Sequence, residues 1–274
     1  MSRSHWSRLL AVLAVFALTV VAAGCGGGGD DNGGGGEEAG GGEPLTVGSD
    51  IPYPPFEQGK PGSYTGFDIE LVEAIADKMG RKAEFQDTSF ETIFRDLAQG
   101  KFEAVASAAT ITPEREEEVD FSNPYYLSEQ AILVKEGSSI KSAADLDGET
   151  VGAQQGTTGL KFVKDEAEAG ELRPYPEGPD AVNALKAGTV AAVVIDAPVA
   201  QNAVESGGGL EISALLPTEE TYGIAVKQGE DQLLEEINTG LKEVQEDGTY
   251  EKIFKKWFHL DPPKAIFSAT HEAE

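Results

Sequence analysis

The sequence predicts an α/β protein built as two lobes, and three observations support this fold class. Short apolar runs with the length of strands alternate with longer segments whose apolar residues fall on one helical face, as in helices that cover a mostly parallel sheet. The alternation occurs in two successive series. With 274 residues and 40% hydrophobic content, the chain is long enough to give each series its own core.

The amino-terminal segment is typical of a secreted lipoprotein. Arg3 and Arg8 precede an apolar run at residues 9–23, which is too short to cross a bilayer comfortably, and small residues then lead to Cys25. The segment 1–25 resembles a bacterial lipoprotein signal, in which this cysteine becomes the lipidated first residue of the mature protein. The alternative is ordinary cleavage that leaves an unmodified thiol; against it, the sequence contains no second cysteine with which such a thiol could pair.

Residues 26–43 are glycine interrupted mainly by acidic residues. This segment has no apolar surface to bury, so we expect a flexible tether that holds the folded body near a membrane. The formal net charge of −27 argues against nucleic-acid binding, which needs clusters of Lys and Arg. No spacing of Cys, His or acidic residues indicates a metal site, and we expect no cofactor.

The first series begins with a strand at residues 45–48. The loop 49–57 contains three prolines and two aromatics, and we expect one of these aromatics, Phe56, in the core. An amphipathic helix follows within residues 66–80, and its early acids Asp68 and Glu70 are interpreted as capping and dipole residues rather than a catalytic pair. The series continues with a strand at 83–85, a helix at 90–99 and a strand at 102–106.

The second series predicts strands at 130–135, 150–153 and 191–195, with helices at 160–168, 181–187 and 198–205. The last part of the chain predicts a strand at 222–226 and helices at 232–246 and 250–258. Residues 263–274 are a tail to which the sequence assigns no role.

The stretch 107–115 is the first candidate for a binding site. It follows a buried strand, at the position where an open α/β sheet binds its ligands. Thr112 followed by Pro113 predicts a helix start, and Arg115 one turn later offers a planar fork of donors that matches a carboxylate. These residues alone leave two alternatives open, which are a small-anion site and a surface arginine in a capping turn.

Five features in a fixed order decide between them: residues 66–71, 110–115, 120–125 and 155–158, followed by Asp196 at the end of a strand. Together they resemble the family 3 extracellular solute-binding proteins, the periplasmic or lipid-anchored receptors of polar amino-acid ABC importers. The resemblance covers residues 45–260 approximately. It implies a two-lobed periplasmic-binding-protein-like fold of type II, with two crossover strands near 128–131 and 218–221 and the ligand in the interlobe cleft. Lobe 1 would comprise residues 44–129 and 220–262, and lobe 2 residues 130–219.

The resemblance also implies how the two charged groups of an amino acid would be bound. Arg115 matches the residue that grips the α-carboxylate, and Thr158 a second donor to it from the other lobe. Thr110 and the backbone of Ala108 match contacts of the α-amino group. Asp196 matches the aspartate that pairs with the ammonium.

Four further positions match those that surround the ligand side chain. Tyr53 and Phe90 match two aromatics that sandwich it, and Asp50 and Gln154 match positions that vary with its chemistry. Because neither of the variable residues is basic, an acidic ligand is disfavoured. A cationic side chain (Arg, Lys or His) or an amide (Gln) is expected instead.

The resemblance implies a transport protein rather than an enzyme. We expect a monomer that is anchored through Cys25 to the outer face of the bacterial cytoplasmic membrane and delivers an amino acid to an ABC permease. One alternative is a lipoprotein that senses amino acids with the same site. Another is a dehydratase-type enzyme on the same fold, against which His5, His259 and His271 all lie away from the predicted cleft.

Overall fold

Two five-stranded sheets organise the structure, a computed structural model that describes residues 42–271. The strands are β1 (Leu45–Ser49), β2 (Gln58–Lys60), β3 (Ser63–Thr65), β4 (Ala83–Asp87), β5 (Ala104–Val105), β6 (Val119–Phe121), β7 (Tyr126–Lys135), β8 (Thr150–Gln154), β9 (Glu171–Tyr175), β10 (Ala192–Asp196), β11 (Leu210–Tyr222) and β12 (Ala225–Lys227). The helices are α1 (Phe67–Lys78), α2 (Ile93–Ala98), α3 (Pro113–Glu116), α4 (Thr158–Asp165), α5 (Gly178–Ala187), α6 (Ala197–Glu205), α7 (Asp231–Glu246) and α8 (Thr249–Phe258).

Both sheets are mostly parallel, as expected, and in each of them one strand runs against the other four. The first has the order β4-β1-β5-β12-β6, and the second β11-β7-β10-β8-β9. In the first, β1 runs parallel to β4 and β5, whereas β12 runs antiparallel to β5 and β6. In the second, β8 runs parallel to β9 and β10, whereas β7 runs antiparallel to β10 and β11. The antiparallel pairs arise where the chain passes from one lobe to the other and returns.

The strands β7 and β11 are the two crossovers that join the lobes, as expected. They pair antiparallel from Tyr126 opposite Tyr222 to Lys135 opposite Leu210. The register shifts between Leu216 and Glu220, and within this bulge Glu219 adopts a left-handed φ of 48°. The irregularity interrupts strand pairing beside the cleft and changes the direction in which the side chains point there. The exact lobe boundaries, 44–129 plus 220–262 and 130–219, stay a prediction.

An aromatic cluster fills the first lobe where the crossovers leave it. Phe56 is completely buried, as predicted, with its ring 5.1 Å from that of Tyr126 and 5.5 Å from that of Tyr222. The Phe67 ring lies 5.0 Å from that of Phe258 on α8. Edge-to-face contacts at these separations add to the free energy of burial. The cluster therefore anchors the crossovers and the start of α1 in one core.

The acid Asp68 at the start of α1 does not cap the helix, contrary to the sequence interpretation. Its side chain is completely buried and makes no cap hydrogen bond. Instead, Oδ2 accepts a hydrogen bond from the Ala108 N–H at 2.8 Å and one from the Tyr125 hydroxyl at 2.6 Å. Ala108 has a φ of 44°, which is costly for a residue with a Cβ. Asp68 therefore holds the loop after β5 in an otherwise unfavourable conformation.

The carboxy-terminal tail packs against the first lobe. It forms a short 3-10 turn at Lys264–Ser268, and the side chain of Ile266 is 1% exposed. Among residues 42–271, no helix combines the length and the apolar character that crossing a bilayer requires. The predicted signal 1–25, with Cys25, and nearly all of the tether 26–43 lie outside the described residues, so they stay predictions.

Candidate functional site

A narrow pocket with a cavity volume of about 10 Å³ lies between the two lobes, at the carboxyl ends of strands of both sheets. Its lining contains all nine of the predicted ligand-binding residues, together with Ser107 and Thr157: Asp50, Tyr53, Phe90, Ser107, Ala108, Thr110, Arg115, Gln154, Thr157, Thr158 and Asp196. Larger grooves exist on the surface, but this pocket brings the buried carboxylates of Asp50 and Asp196 together with Arg115. It is therefore the candidate functional site.

The guanidinium of Arg115 occupies one end of the pocket. Thr112 caps α3 as predicted, because its Oγ1 accepts a hydrogen bond from the Arg115 N–H at 3.3 Å. The guanidinium carbon lies 5.1 Å from the ring centre of Phe90 and 4.7 Å from that of Phe94, which fixes its plane. Nη1 donates to the Thr110 carbonyl at 2.6 Å. The remaining N–H groups of the fork can serve an anionic ligand.

Arg115 also links the two lobes. Its Nη2 donates to the carbonyl of Gly156, in the turn after β8, at 3.2 Å. Burial lowers the pKa of Arg115 to about 10, while the carboxylates of Glu220 and Asp196 oppose that change. The guanidinium therefore stays charged at neutral pH and presents a cation to the cleft.

The carboxylate of Asp196, at the end of β10, lies in the second lobe. The residue is 7% exposed, and its Oδ2 accepts a hydrogen bond from the Tyr53 hydroxyl at 2.6 Å, across the cleft. Its Oδ1 accepts another from the side-chain amide of Gln130. Burial, and then the nearby carboxylate of Glu220, raise the pKa of Asp196 well above its ordinary value. A bound cation would remove this penalty.

Two polar residues of the crossovers complete this end of the site and were not predicted. Glu220 on β11 is 7% exposed and accepts a hydrogen bond from Thr110 Oγ1 at 3.0 Å. The amide nitrogen of Gln130 on β7 lies 3.1 Å from a Glu220 oxygen and also donates to Asp196. Gln130 therefore sits between two carboxylates. Both residues belong to polar strand segments without a sequence motif. In the sequence, only the predicted crossover ranges indicated that they would lie near the cleft.

Asp50 and Gln154 meet at the opposite end of the pocket. The Gln154 amide donates a hydrogen bond to the Asp50 carboxylate across the cleft and another to the Pro176 carbonyl at 3.2 Å. Burial is the main cause that raises the pKa of Asp50 to about 7, and the carboxylates of Glu177 and Asp87 add to it. Among the residues that the structure describes, Arg115 is the only basic one that lines this pocket. The environment is therefore suited to a cationic or hydrogen-bonding group.

The remaining predicted residues border the same space. Phe90 is 7% exposed and lies in the turn before α2, which begins at Ile93, so the predicted helix start at residue 90 was three residues early. Thr158 is the first residue of α4, after the N-cap Thr157. Its hydroxyl accepts a hydrogen bond from the Gln130 amide at 3.2 Å. Thr158 and Arg115 thus approach the pocket from different lobes.

A pair of buried acids lies beneath the pocket floor. Glu57 is completely buried, and within the described part of the chain neither of its carboxylate oxygens has a hydrogen-bond partner. Burial, followed by the adjacent Asp68, raises the pKa of Glu57 well above its ordinary value. Burial likewise raises the pKa of Asp68 to about 6. These groups hold protons in the folded state at a pH at which the unfolded chain has released them.

This pair makes the protein less stable as the pH rises. Asp68 alone should lower the free energy of unfolding by about 2 kcal/mol between pH 4 and pH 7, since its pKa is raised from 3.8 to about 6. Glu57 acts in the same direction, so Glu57→Gln should lose less stability than the native protein over this range. Urea unfolding of both proteins at pH 4.5, 5.5 and 7 measures the difference. As a control, Glu84→Gln, at an exposed position on β4, should follow the pH dependence of the native protein. The prediction would be contradicted if the stability of Glu57→Gln fell with pH as steeply as that of the native protein.

The described residues offer no arrangement for metal chemistry. Within residues 42–271, no group of three or more His, Cys, Asp or Glu side chains is placed to hold a metal ion. His259 and His271 do not line the pocket.

Comparison with known proteins identifies relatives along most of the chain. The sequence profile of the bacterial extracellular solute-binding proteins, family 3, matches residues 45–260. The ABC transporter glutamine-binding protein GlnH of Bacillus subtilis (strain 168) is 36% identical over 205 residues, which cover 73% of this chain and 75% of that protein. This relative is named as a binding protein of a transporter.

Solved structures agree in fold. An ancestral arginine-binding protein bound to glutamine has a TM-score of 0.76 and 43% identity, and the match covers 79% of this chain and 98% of the other. The structure of an ancestral arginine-binding protein bound to arginine has a TM-score of 0.74 and 43% identity, over 78% of this chain and 97% of the other. With the type II fold, the two crossovers and the profile match in agreement, this chain belongs to family 3 of the bacterial extracellular solute-binding proteins.

Proposed function

We propose that the chain binds a polar amino acid outside the cytoplasmic membrane and delivers it to an ABC importer by closure of its lobes around the zwitterion. The observation that supports this most is the placement of a cation from one lobe and a carboxylate from the other at the same end of a small pocket. Arg115 comes from the first lobe and Asp196 from the second. An α-amino acid carries the two opposite charges that this pair can bind.

The ligand would be what makes closure favourable. In the closed arrangement, Arg115 contacts Gly156, Gln154 contacts Asp50, and Tyr53 contacts Asp196 across the cleft. Closure without a ligand leaves Asp196 buried beside another carboxylate, Glu220, which is costly because Arg115 acts on Asp196 only from a distance and forms no ion pair with it. An ammonium group supplies that ion pair, so a bound amino acid shifts the population toward the closed form.

The remaining site residues would fix the ligand backbone. We assign Thr158 as a second donor to the α-carboxylate, from the first turn of α4. Thr110 and the backbone of Ala108 would contact the α-amino group, and the Asp68 hydrogen bond explains how Ala108 keeps its left-handed conformation.

The ligand side chain would lie between Tyr53 and Phe90 and end at Asp50 and Gln154. A carboxylate that is buried without a basic partner favours a guanidinium, ammonium or imidazolium group, and the Gln154 amide can pair with a ligand amide. The ligands in the related solved structures, glutamine and arginine, belong to these two classes. We therefore propose a cationic amino acid (Arg, Lys or His) or glutamine rather than an acidic one.

Thermal unfolding against the twenty protein amino acids, ornithine and citrulline tests this function. A ligand at a hundred times its Kd should raise the midpoint by about 5 to 10 °C, because it binds only the folded state. Arginine, lysine, histidine or glutamine should stabilise the protein, whereas aspartate and glutamate should not. A response to the acidic pair would contradict the side-chain assignment, and no response to any amino acid would contradict the proposed function.

We further propose that the folded body is a monomer, attached through a lipid on Cys25 to the outer face of the bacterial cytoplasmic membrane. Support comes from the sequence alone, in the basic start, apolar run and small residues that precede Cys25 and in the glycine-rich segment that follows. Stable attachment needs more than one acyl chain, which a lipoprotein cysteine carries. The ABC permease would then lie within reach of the tether.

A further inference from the structure

We propose that residues 263–271, here called the C-terminal strap, position Arg115 for the ligand carboxylate. This inference rests on the proposed function, since it concerns the carboxylate end of the same site. The strap follows α8 and begins after residue 260, at which the match to the family ends.

The strap is fixed at its middle to the first lobe. Ile266 is 1% exposed and belongs to the core of this lobe. The neighbouring Phe267 packs edge-on against Tyr250 of α8, with 5.7 Å between ring centres. The Tyr250 hydroxyl in turn donates to the Tyr125 carbonyl at 2.7 Å. The strap is therefore a packed element whose end has a defined position.

The end of the strap reaches the segment that carries Arg115. The His271 N–H donates to Asn123 Oδ1 at 2.9 Å, just after β6, and the Asn123 N–H donates to Asn238 Oδ1 on α7 at 2.8 Å. His271 Nε2 lies 2.8 Å from Glu116 Oε1. This contact is an ion pair whenever the imidazole is protonated. The two side chains are only 16% and 28% exposed, so solvent screens the pair incompletely.

The short helix α3 needs such external support. It has four residues, none of them fully buried, and its contact with the core depends on Arg115 itself, whose guanidinium lies against the rings of Phe90 and Phe94. Another ion-pair contact of α3, from Glu114 to Lys161 of the second lobe, spans 3.7 Å between exposed groups and is correspondingly weak. Glu116 directly follows Arg115 in this single turn. A displacement of Glu116 therefore also moves the guanidinium that faces the cleft.

Binding of paired ligands to the His271→Ala variant tests the strap. We use calorimetry with L-arginine and L-argininamide, and with L-glutamine and L-glutaminamide, because each amide lacks the charged α-carboxylate. His271→Ala should weaken binding of the amino acids by about threefold to tenfold and leave binding of the amides nearly unchanged. Glu116→Gln should have the same effect, and the double variant should lose no more than either single one.

A variant on the same strap and a measurement without ligand complete the test. Thr270→Ala, at the exposed neighbouring position, should bind as the native protein does. Hydrogen exchange at the backbone amides of residues 113–121 should accelerate in His271→Ala but not in Thr270→Ala. Unchanged preference for amino acid over amide in His271→Ala would overturn the strap's role while the proposed function stands. Failure of the native protein to bind either amino acid would overturn both.

Discussion

Replacement of Arg115 by alanine should abolish tight amino-acid binding. The side chain supplies the positive charge at the carboxylate end of the pocket, and Phe90 and Phe94 hold its plane. Removing one partner of a buried, hydrogen-bonded charge pair costs about 2 to 5 kcal/mol, largely because the other charge stays buried without a partner. The affinity should therefore fall by about thirtyfold to several thousandfold in titration calorimetry.

Three comparisons separate this role from a general loss of structure. Arg95→Ala, on the neighbouring helix α2, removes a side chain that is 63% exposed and should leave the affinity unchanged. Arg115→Lys keeps the charge but loses the planar fork, so its affinity should be intermediate. Arg115→Ala should also bind the amino acid and its α-carboxamide almost equally. Native affinity in Arg115→Ala would exclude the carboxylate role.

The elements that sequence reasoning predicted are those whose local pattern coincides with their place in the fold. β1, β8 and β10 are short apolar runs that end in polar residues, and each lies in the interior of its sheet. Since parallel strands bring their carboxyl ends to one edge, polar residues that follow them converge there. Gln154 and Asp196 meet in this way at one edge of the second sheet, and Asp50 faces them from the first sheet. That the three share one cleft was implied by the family resemblance.

Other elements lack such a pattern because neighbours in space determine them. β9 is a sheet edge that contains Glu171, Arg173 and Pro174, a composition more typical of a loop. The hairpin of β2 and β3 is short and largely exposed. β11 alternates poorly because its middle crosses between lobes. Only pairing with an existing strand turns these segments into strands, and pairing is not visible in one sequence.

The residues of the site also divide into those with a recognisable local pattern and those without one. Charged residues that lie within a sequence motif could be assigned to the site from the sequence. Gln130 and Glu220 could not, because each acts through partners that are far away along the chain. Asp68 illustrates a different limit. Its place at a helix start indicates a cap, but the approach of the loop after β5 gives it the Ala108 N–H as a partner instead. That partner lies 40 positions along the chain.

Glu220 also bears on how the ammonium is bound. Two buried carboxylates, those of Asp196 and Glu220, flank the amide of Gln130, and either could in principle face a ligand cation. Asp196 lines the pocket, whereas Glu220 is oriented toward Thr110 and lines the adjoining cleft mouth. The geometry therefore favours Asp196 as the direct partner and Glu220 as a second negative charge behind it.

Replacement of Asp196 by asparagine should weaken amino-acid binding by about thirtyfold or more. The change keeps the size of the side chain and can keep a hydrogen bond to the Tyr53 hydroxyl, but it removes the negative charge that would pair with the ammonium. The expected cost is again about 2 kcal/mol or more, as for other truncated buried charge pairs. Titration calorimetry with arginine and glutamine measures the loss of affinity.

Analogues without the α-amino group show whether that loss arises at the ammonium. δ-Guanidinovalerate and glutaramate should bind the native protein far more weakly than arginine and glutamine, and Asp196→Asn should remove most of this difference. Glu220→Gln serves as the matched variant, because it neutralises the second buried carboxylate of the same cluster at a position outside the pocket lining. Since Glu220 does not line the pocket, the loss of affinity in Glu220→Gln should be smaller than that in Asp196→Asn. A larger loss in Glu220→Gln would reverse the assignment and make the crossover strand, rather than the end of β10, the part of the fold that recognises the ammonium.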